Sequence, residues 1–333
     1  NGRTAFSLPE LAEIAAQNHH IFKELQYLSN IDYKPIRYIS FAHDEETYKT
    51  LEASKAWSKA EMIAPKQFRE EISPYFNANP KKYISALVSE DCWQATPGKV
   101  VDLVRNLGIA AGGTVMEDCR VLEACREGKY TSVLVQTHDK KYVEYRTEHF
   151  VNALGSGAGK LCDSMGIDAG LYPVRHQAFI TRRLPMLGKH GTNLDMLIDR
   201  QDYKGFSAVY GQQIAYTGQI IGCASPKLDA MRIDKNLKVN TKAFLEIVSE
   251  MFSEWIPDLA GVGIQAVWAG YYTEPRYIVD PELGLFVGMR GHGFMLSQYI
   301  ARMYVDKLLG RPVPEYFEKL KLNGPGLSEK AFK

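Results

Sequence analysis

The sequence predicts a mixed α/β fold in which a βαβ-type lobe is interleaved with an antiparallel-sheet lobe. Three stretches carry that expectation. Near the end of the chain, Leu285 to Val287 read as a short apolar strand and Gly288, Gly291 and Gly293 as a turn, while Leu296, Ile300, Met303, Tyr304 and Leu308 form the apolar face of a helix. In the middle, Glu148 to Leu154 read as a strand running into a second glycine turn at Gly155, Gly157 and Gly159. Pro173 to Gly222 alternates apolar and polar residues in short runs broken by Gly, Asn, Asp and Lys clusters, the signature of an antiparallel sheet.

With 333 residues and 45% hydrophobic content, the chain can bury a core large enough for two domains. Its formal net charge is +1 and its Lys and Arg residues are scattered, which argues against a nucleic-acid or membrane-surface footprint. No apolar run of about 18 residues is present to span a bilayer. The five cysteines, Cys92, Cys119, Cys125, Cys162 and Cys223, are odd in number and form no C-x-x-C pair, as expected of reduced thiols in the cytoplasm. The chain opens with Asn1 and not Met, which reads as a fragment or a processed product.

In chain order, Ser7 and Glu10 stand at capping-box spacing ahead of a helix from Leu8 to Leu28, with Leu11, Ile14, Ala15, Ile21, Phe22 and Leu25 on one face. Pro35 to Phe41 alternates like a strand, His43 to Ala60 reads as a charged helix, and Pro65 opens another. A strand at Tyr83 to Val88 precedes a helix from Lys99 to Asn106. Thr114 to Glu123, Thr131 to Thr137 and Lys141 to Tyr145 form a meander. Strands follow at Val174 to Thr181, Met196 to Asp199, Phe206 to Tyr210 and Ile214 to Gly222. Phe244, Ile247, Val248 and Met251 then mark a helix over Thr241 to Trp255, and Gly263 to Tyr272 is the last strand before the C-terminal stretch.

A glycine turn entering a helix presents unpaired N–H groups and a positive dipole end, suited to an anionic or electron-rich ligand edge. The wording Gly288-Met-Arg-Gly-His-Gly-Phe-Met, between strand and helix, resembles the C-terminal flavin-contacting motif of the D-amino acid oxidase superfamily. Phe150-Val-Asn-Ala-Leu-Gly-Ser-Gly-Ala-Gly resembles that family's VNAAGAWA turn, and Tyr172-Pro-Val-Arg-His-Gln its PVRGQ or PVRHQ stretch. Trp268-Ala-Gly-Tyr-Tyr-Thr-Glu-Pro resembles its WAGLYEMTPD strand, which faces the flavin ring. Asn1-Gly-Arg-Thr-Ala resembles its SGRNAG segment, whose Arg lies close to the flavin. The likeness runs in order over nearly the whole chain.

The resemblance implies a discontinuous FAD-binding Rossmann-like lobe over 1–34, 90–172 and 274–310, a substrate-binding lobe over 35–89 and 173–273, and a C-terminal tail over 311–333, which either wraps a neighbour or lies on its own domain. It implies cofactor contacts from Arg3, Val121, Ala153, Gly155, Gly157, Gly288, Arg290, Gly291, His292, Gly293, Phe294 and Met295. The implied reaction is FAD-dependent oxidation of a small amino acid or secondary amine of the sarcosine, glycine, proline or D-amino acid type, with hydride passing from the carbon bearing nitrogen to flavin N5. The protein then supplies orientation, a carboxylate anchor and a positive environment for the ring. Tyr272, Arg290 and Tyr210 are the candidate catalytic residues.

Two departures bear on this. The family's G-x-G-x-x-G and the acidic residue that binds the ribose belong upstream of Arg3. Either that unit lies outside the chain, the favoured reading, or tight FAD binding is lost. Arg290 stands where many relatives have Ser or Asn, and Tyr272 where some hold the carboxylate with Arg, so Arg276, Arg290 and Tyr210 share candidacy for the anchor. His292 reads as structural and not as a general base, because a neutral amine needs none. His19, His20, His43, His138, His149 and His190 show no ligand spacing, so no metal site is expected. A 2-hydroxy-acid dehydrogenase and a non-catalytic flavoprotein-like subunit of a hetero-oligomer are the alternatives. The electron acceptor (oxygen, quinone or another protein) and homo- or hetero-oligomeric assembly are left open.

Overall fold

The computed structural model describes residues 1–77, 81–185, 187, 194–201, 205–214, 217–226 and 241–327. Helix α1 (Pro9–Leu28) begins with Pro9 in its first turn, where a missing N–H costs nothing. Leu8 is its N-cap and makes no side-chain cap, so the expected Ser7 capping box does not form; Glu10 instead accepts from Lys319 at 2.5 Å. Strand β1 (Lys34–Ala42) leads to α2 (Glu45–Ala53), whose Asp44 and Thr47 cap each other reciprocally. The expected continuation of that helix to Ala60 is overturned. The chain tightens into a 3-10 turn at Ser54–Trp57 and then becomes strand β2 (Ala60–Ile63). The helix expected at Pro65 is a 3-10 turn followed by the single-turn α3 (Phe68–Glu71).

Strand β3 (Ser85–Gln94) is longer than its apolar run suggests, and α4 (Pro97–Ala110) starts at its Pro. The meander is β4 (Arg120–Glu127), β5 (Tyr130–Gln136) and β6 (Tyr142–Thr147), so Thr114 to Cys119 is not strand. The strand expected over Glu148 to Leu154 reduces to a parallel bridge between Asn152 and Leu285. Asn152 is buried and donates its Nδ2 to the Ala158 carbonyl at 3.1 Å, which fastens the glycine turn to α5 (Ala158–Ser164). The remaining elements are β7 (Tyr172–Thr181), β8 (Met196–Asp199), β9 (Phe206–Gln213), β10 (Ile220–Pro226), α6 (Thr241–Trp255), β11 (Ile264–Glu274), β12 (Ile278–Asp280), β13 (Leu285–Val287) and α7 (Gly293–Leu308). Ile214 lies in the β9–β10 connection and not in a strand; residues 215 and 216 fall outside the described set.

Eight strands form one sheet in the order β11-β7-β10-β9-β8-β1-β3-β2. The pairs among β7, β8, β9, β10 and β11 are antiparallel, as the alternation predicts, and the sheet as a whole is mixed because β1 runs parallel to β8. Strand alternation divides its two faces. Ile39, Phe41, Phe179, Leu197 and Val209 point into a core closed by Phe244, Val248, Met251, Phe252 and Trp255 of α6. Their neighbours Tyr38, His176, Met196, Ile198, Ala208 and Tyr210 point the other way, into a cavity.

A second core packs α1 on α7 through Leu11, Ile14, Phe22 and Leu25 against Leu296, Ile300, Met303 and Tyr304, the apolar stripe the sequence marked. The described part of the tail lies on its own domain, with Phe317, Leu320 and Leu327 buried in this core. Tyr316 and Lys319 donate to Glu13 and Glu10 of α1.

Candidate functional site

The cavity, about 540 Å³, lies between the second face of the large sheet and the N-terminal end of α7. The turn after β13 is built by close approach. At Gly288 φ is +69°, and a Cβ would sit 1.9 Å from the Arg276 carbonyl oxygen, so only glycine fits. At Gly291 a Cβ would lie 2.5 Å from Tyr272 Cε2, so this glycine lets the turn press against the tyrosine ring. Gly293 then starts α7, which has no side-chain N-cap. Gly291, His292, Phe294 and Met295 line the cavity at that end, with Arg3 and Arg290 beside them.

Arg290 holds a left-handed φ of +51°, unusual for a residue with a side chain. Its Nε donates to Glu274 Oε2 at 2.6 Å, and both side chains are mostly buried. Arg3 is buried, donates to the Ala5 carbonyl, and lies 3.9 Å over the Phe6 ring. His292 shares a hydrogen bond of 2.5 Å between its Nδ1 and the Tyr277 hydroxyl. Burial, with the guanidiniums of Arg3, Arg290 and Arg200 adding to it, pushes its pKa well below the usual histidine value.

On the sheet side the Tyr210 and Tyr272 hydroxyls are 3.2 Å apart, and the His176 ring stacks on Tyr272 with centroids 3.8 Å apart. Burial lowers the His176 pKa to about 4. Burial, reinforced by the Cys223 thiol, raises Tyr272 to about 12, and burial raises Tyr210 well above its usual value. At neutral pH these three rings, and that of His292, are uncharged. The walls thus offer guanidinium charge, one carboxylate and neutral hydrogen-bonding rings, a setting for binding and orientation more than for proton abstraction.

The structure brings together Arg3, Tyr210, Tyr272, Arg290, Gly291, His292, Phe294 and Met295 of the residues singled out from sequence. Gly288 and Gly293 shape the turn without lining the cavity. Val121 lies in β4, packed with the cluster of Ala124, Val133, Val135 and Leu161. Ala153, Gly155 and Gly157 are exposed at the turn before α5, and none of these four lines the cavity. Arg276 is withdrawn as an anchor: it donates to the Gly324 carbonyl at 3.0 Å and to that of Leu322, tying the β11–β12 connection to the tail.

Sequence reasoning missed Glu274, Arg200 and the floor residues Tyr38, Met196 and Ile198. The floor was recoverable from strand parity once the core face was fixed; Arg200, one residue beyond β8, carries no local signal. His176 belongs to the Tyr172-Pro-Val-Arg-His-Gln stretch that carries the resemblance, but the sequence assigned it no role in the site. Among the described residues no group of three or more His, Cys, Asp or Glu side chains forms a metal site; His190 lies outside them. All five cysteines are free thiols, and no helix among the described residues is long and apolar enough to cross a membrane.

Among solved structures, L-proline dehydrogenase from P. horikoshii superposes with a TM-score of 0.80 at 22% identity over 97% of this chain and 85% of that one. Glycine oxidase from Geobacillus kaustophilus gives 0.75 at 16% identity, over 94% and 83%. NikD, an unusual amino acid oxidase essential for nikkomycin biosynthesis, gives 0.74 at 15% identity, over 96% and 84%. At these identities the likeness establishes the fold. No curated protein sequence matches the chain significantly. The family model of FAD dependent oxidoreductases (DAO) matches residues 3–307, nearly the whole chain, and the chain belongs to that family.

Proposed function

We propose that this FAD-dependent enzyme oxidises a small amino acid or secondary amine at the carbon bearing nitrogen, and that the substrate is of the proline, glycine, sarcosine or D-amino acid type. The observation that carries this reading is the cavity wall itself: a guanidinium at Arg290, an apolar floor of Met196 and Ile198, and neutral rings at His176, Tyr210 and Tyr272. The similarity to proline dehydrogenase and glycine oxidase supports the same substrate class.

The residues present fit the cofactor. The uncapped start of α7 and the approach permitted at Gly288 and Gly291 make a slot for a flat ring, and Arg3 and Arg290 supply positive charge beside it. In this reading Arg3, Gly288, Arg290, Gly291, His292, Gly293, Phe294 and Met295 hold the ring. Val121, Ala153, Gly155 and Gly157 contact the remainder of the dinucleotide. Bound FAD supplies the two-electron acceptor.

This chain's residues bind, orient and exclude water. Tyr272 and Tyr210 orient the substrate from the sheet, and the charges of Arg3 and Arg290 favour negative charge developing at the ring edge. His292 stays neutral and braces the turn through Tyr277. We assign the large sheet to the substrate lobe, and the α1–α7 layer with the β4–β6 meander to the cofactor lobe. The unpaired thiols support a cytoplasmic location.

The test is an absorbance scan of the FAD-reconstituted protein from about 300 to 550 nm, before and after anaerobic addition of L-proline, glycine, sarcosine, D-alanine and lactate in turn. Bleaching by one of the amino acids is expected. Bleaching by lactate alone would move the assignment to a 2-hydroxy acid, and a bound flavin that no amine bleaches would overturn it.

A further inference from the structure

We propose that Glu274 and Arg290 act as one two-pole receptor, in which Arg290 clamps the substrate carboxylate while Glu274 positions Arg290 and meets the substrate amino group; the assignment rests on the amine-oxidation reading above.

The two residues reach the cavity from different elements. Glu274 ends β11, and Arg290 sits in the turn before α7. Their contact uses one donor and one acceptor, Nε to Oε2 at 2.6 Å. A guanidinium carries five N–H donors and a carboxylate two oxygens. Among the described residues, Arg290 Nη1 and Nη2 and Glu274 Oε1 have no hydrogen-bond partner. The Arg290 and Glu274 side chains are only 14% and 18% exposed, and what remains open of them faces the cavity.

The pair is therefore open on both sides. The two Nη groups form the edge that engages a carboxylate in a fork, and the free Oε1 accepts from an N–H. An α-amino acid or a cyclic α-imino acid carries its carboxylate and nitrogen on one carbon, so its two poles are adjacent, as they are in this pair. Arg200 lines the same cavity, but it makes no contact with Glu274 and so offers no second pole; two other arginines serve less well. Arg276 is committed to the tail, and Arg3 lies over Phe6 and donates to Ala5. The left-handed turn at Arg290, locked by Gly288 and Gly291, is what points this side chain across to β11.

The test uses benzoate and benzylamine, which share a ring and differ in the pole they carry. Each is titrated calorimetrically into the FAD-bound protein and its Arg290→Met and Glu274→Gln variants. Arg290→Met is expected to weaken benzoate at least tenfold and leave benzylamine unchanged or tighter. Glu274→Gln keeps an oxygen for the Arg290 Nε but removes the negative charge. It is expected to tighten benzoate several-fold and weaken benzylamine about tenfold.

Opposite movements of the two probes separate a receptor from a structural strut, which would weaken both together. Parallel loss of both probes, no change in either variant, or a wild type that binds neither probe overturns the proposal. The optical scan reads the amine-oxidation assignment independently: flavin bleached by an amino acid with probe binding unaltered in both variants would leave that assignment standing and remove this one.

Discussion

Replacing Gly291 with alanine tests the geometry on which the whole cavity depends. The added Cβ would lie 2.5 Å from Tyr272 Cε2, 2.9 Å from Cζ and 3.0 Å from Cδ2, whereas ordinary contact begins near 3.4 Å, so ring and turn must separate by about 0.9 Å. Neither yields freely. The ring is stacked on His176 and bonded through its hydroxyl to Tyr210, and the turn is pinned three residues earlier, at Gly288, against the Arg276 carbonyl. Overpacking of this kind costs about 1–3 kcal/mol.

A kilocalorie shifts Tm by about 2–4 °C in a domain of 150–250 residues and by less in a longer chain, so a loss of a few degrees is expected. Because a displacement of about 1 Å at a reacting centre can cost on the order of a hundredfold in rate, kcat/KM should fall by one to two orders of magnitude. The assay is a double-mutant cycle that measures Tm, flavin content and kcat/KM for Gly291→Ala with and without Tyr272→Ala. Removing the ring removes the collision, so the Tm penalty of the alanine should vanish in the Tyr272→Ala background. An undiminished penalty there, or an unaltered Tm in the single variant, would refute the reasoning.

Other outcomes follow from the same structure. Asp199 is buried and accepts from His43 at 2.7 Å, Tyr83 at 3.0 Å and the Gln201 amide at 2.9 Å, so Asp199→Ala should cost about 3–5 kcal/mol in a denaturant titration. His19 and His176 are held near pKa 4 by burial, and burial also holds His292 well below its usual value, against 6.5 in the unfolded chain. The unfolded chain therefore binds more protons between these values. Stability should be complete above pH 6.5 and fall as pH drops through 4, by at most about 1.4 kcal/mol per unit for each histidine, as read from Tm against pH. Tyr272→Phe removes one shared hydrogen bond at 3.2 Å; a stability loss of about 1 kcal/mol and a change in KM larger than that in kcat are expected from steady-state rates.

Local elements were legible where local physics decides them. In the apolar stripe of α7, Leu296, Ile300, Met303 and Tyr304 are buried as expected and Leu308 is partly buried, because helix burial follows a fixed period; Met295, which the stripe omitted, is buried as well. The helix over Thr241 to Trp255 was likewise correct at both ends. Errors arose where a distant partner decides. Ala60 joins a strand because β3 lies beside it, and the run before Gly155 pairs only at Asn152 because β13 meets it there. The parallel contact of β1 with β8 joins residues far apart in the chain, which alternation cannot report.

The site divides in the same way. The sequence by itself determined the glycine turn, its helix and the residues that ride on it, since conformational freedom and spacing are properties of the local chain. The pairing of Arg290 with Glu274, the stacking of His176 on Tyr272 with the Tyr272–Tyr210 hydrogen bond, and the withdrawal of Arg276 to the tail were decided only by tertiary structure. A side chain's charge is written in the sequence, but which charge it faces, and whether water reaches it, depends on how β11, β7 and the α7 turn converge.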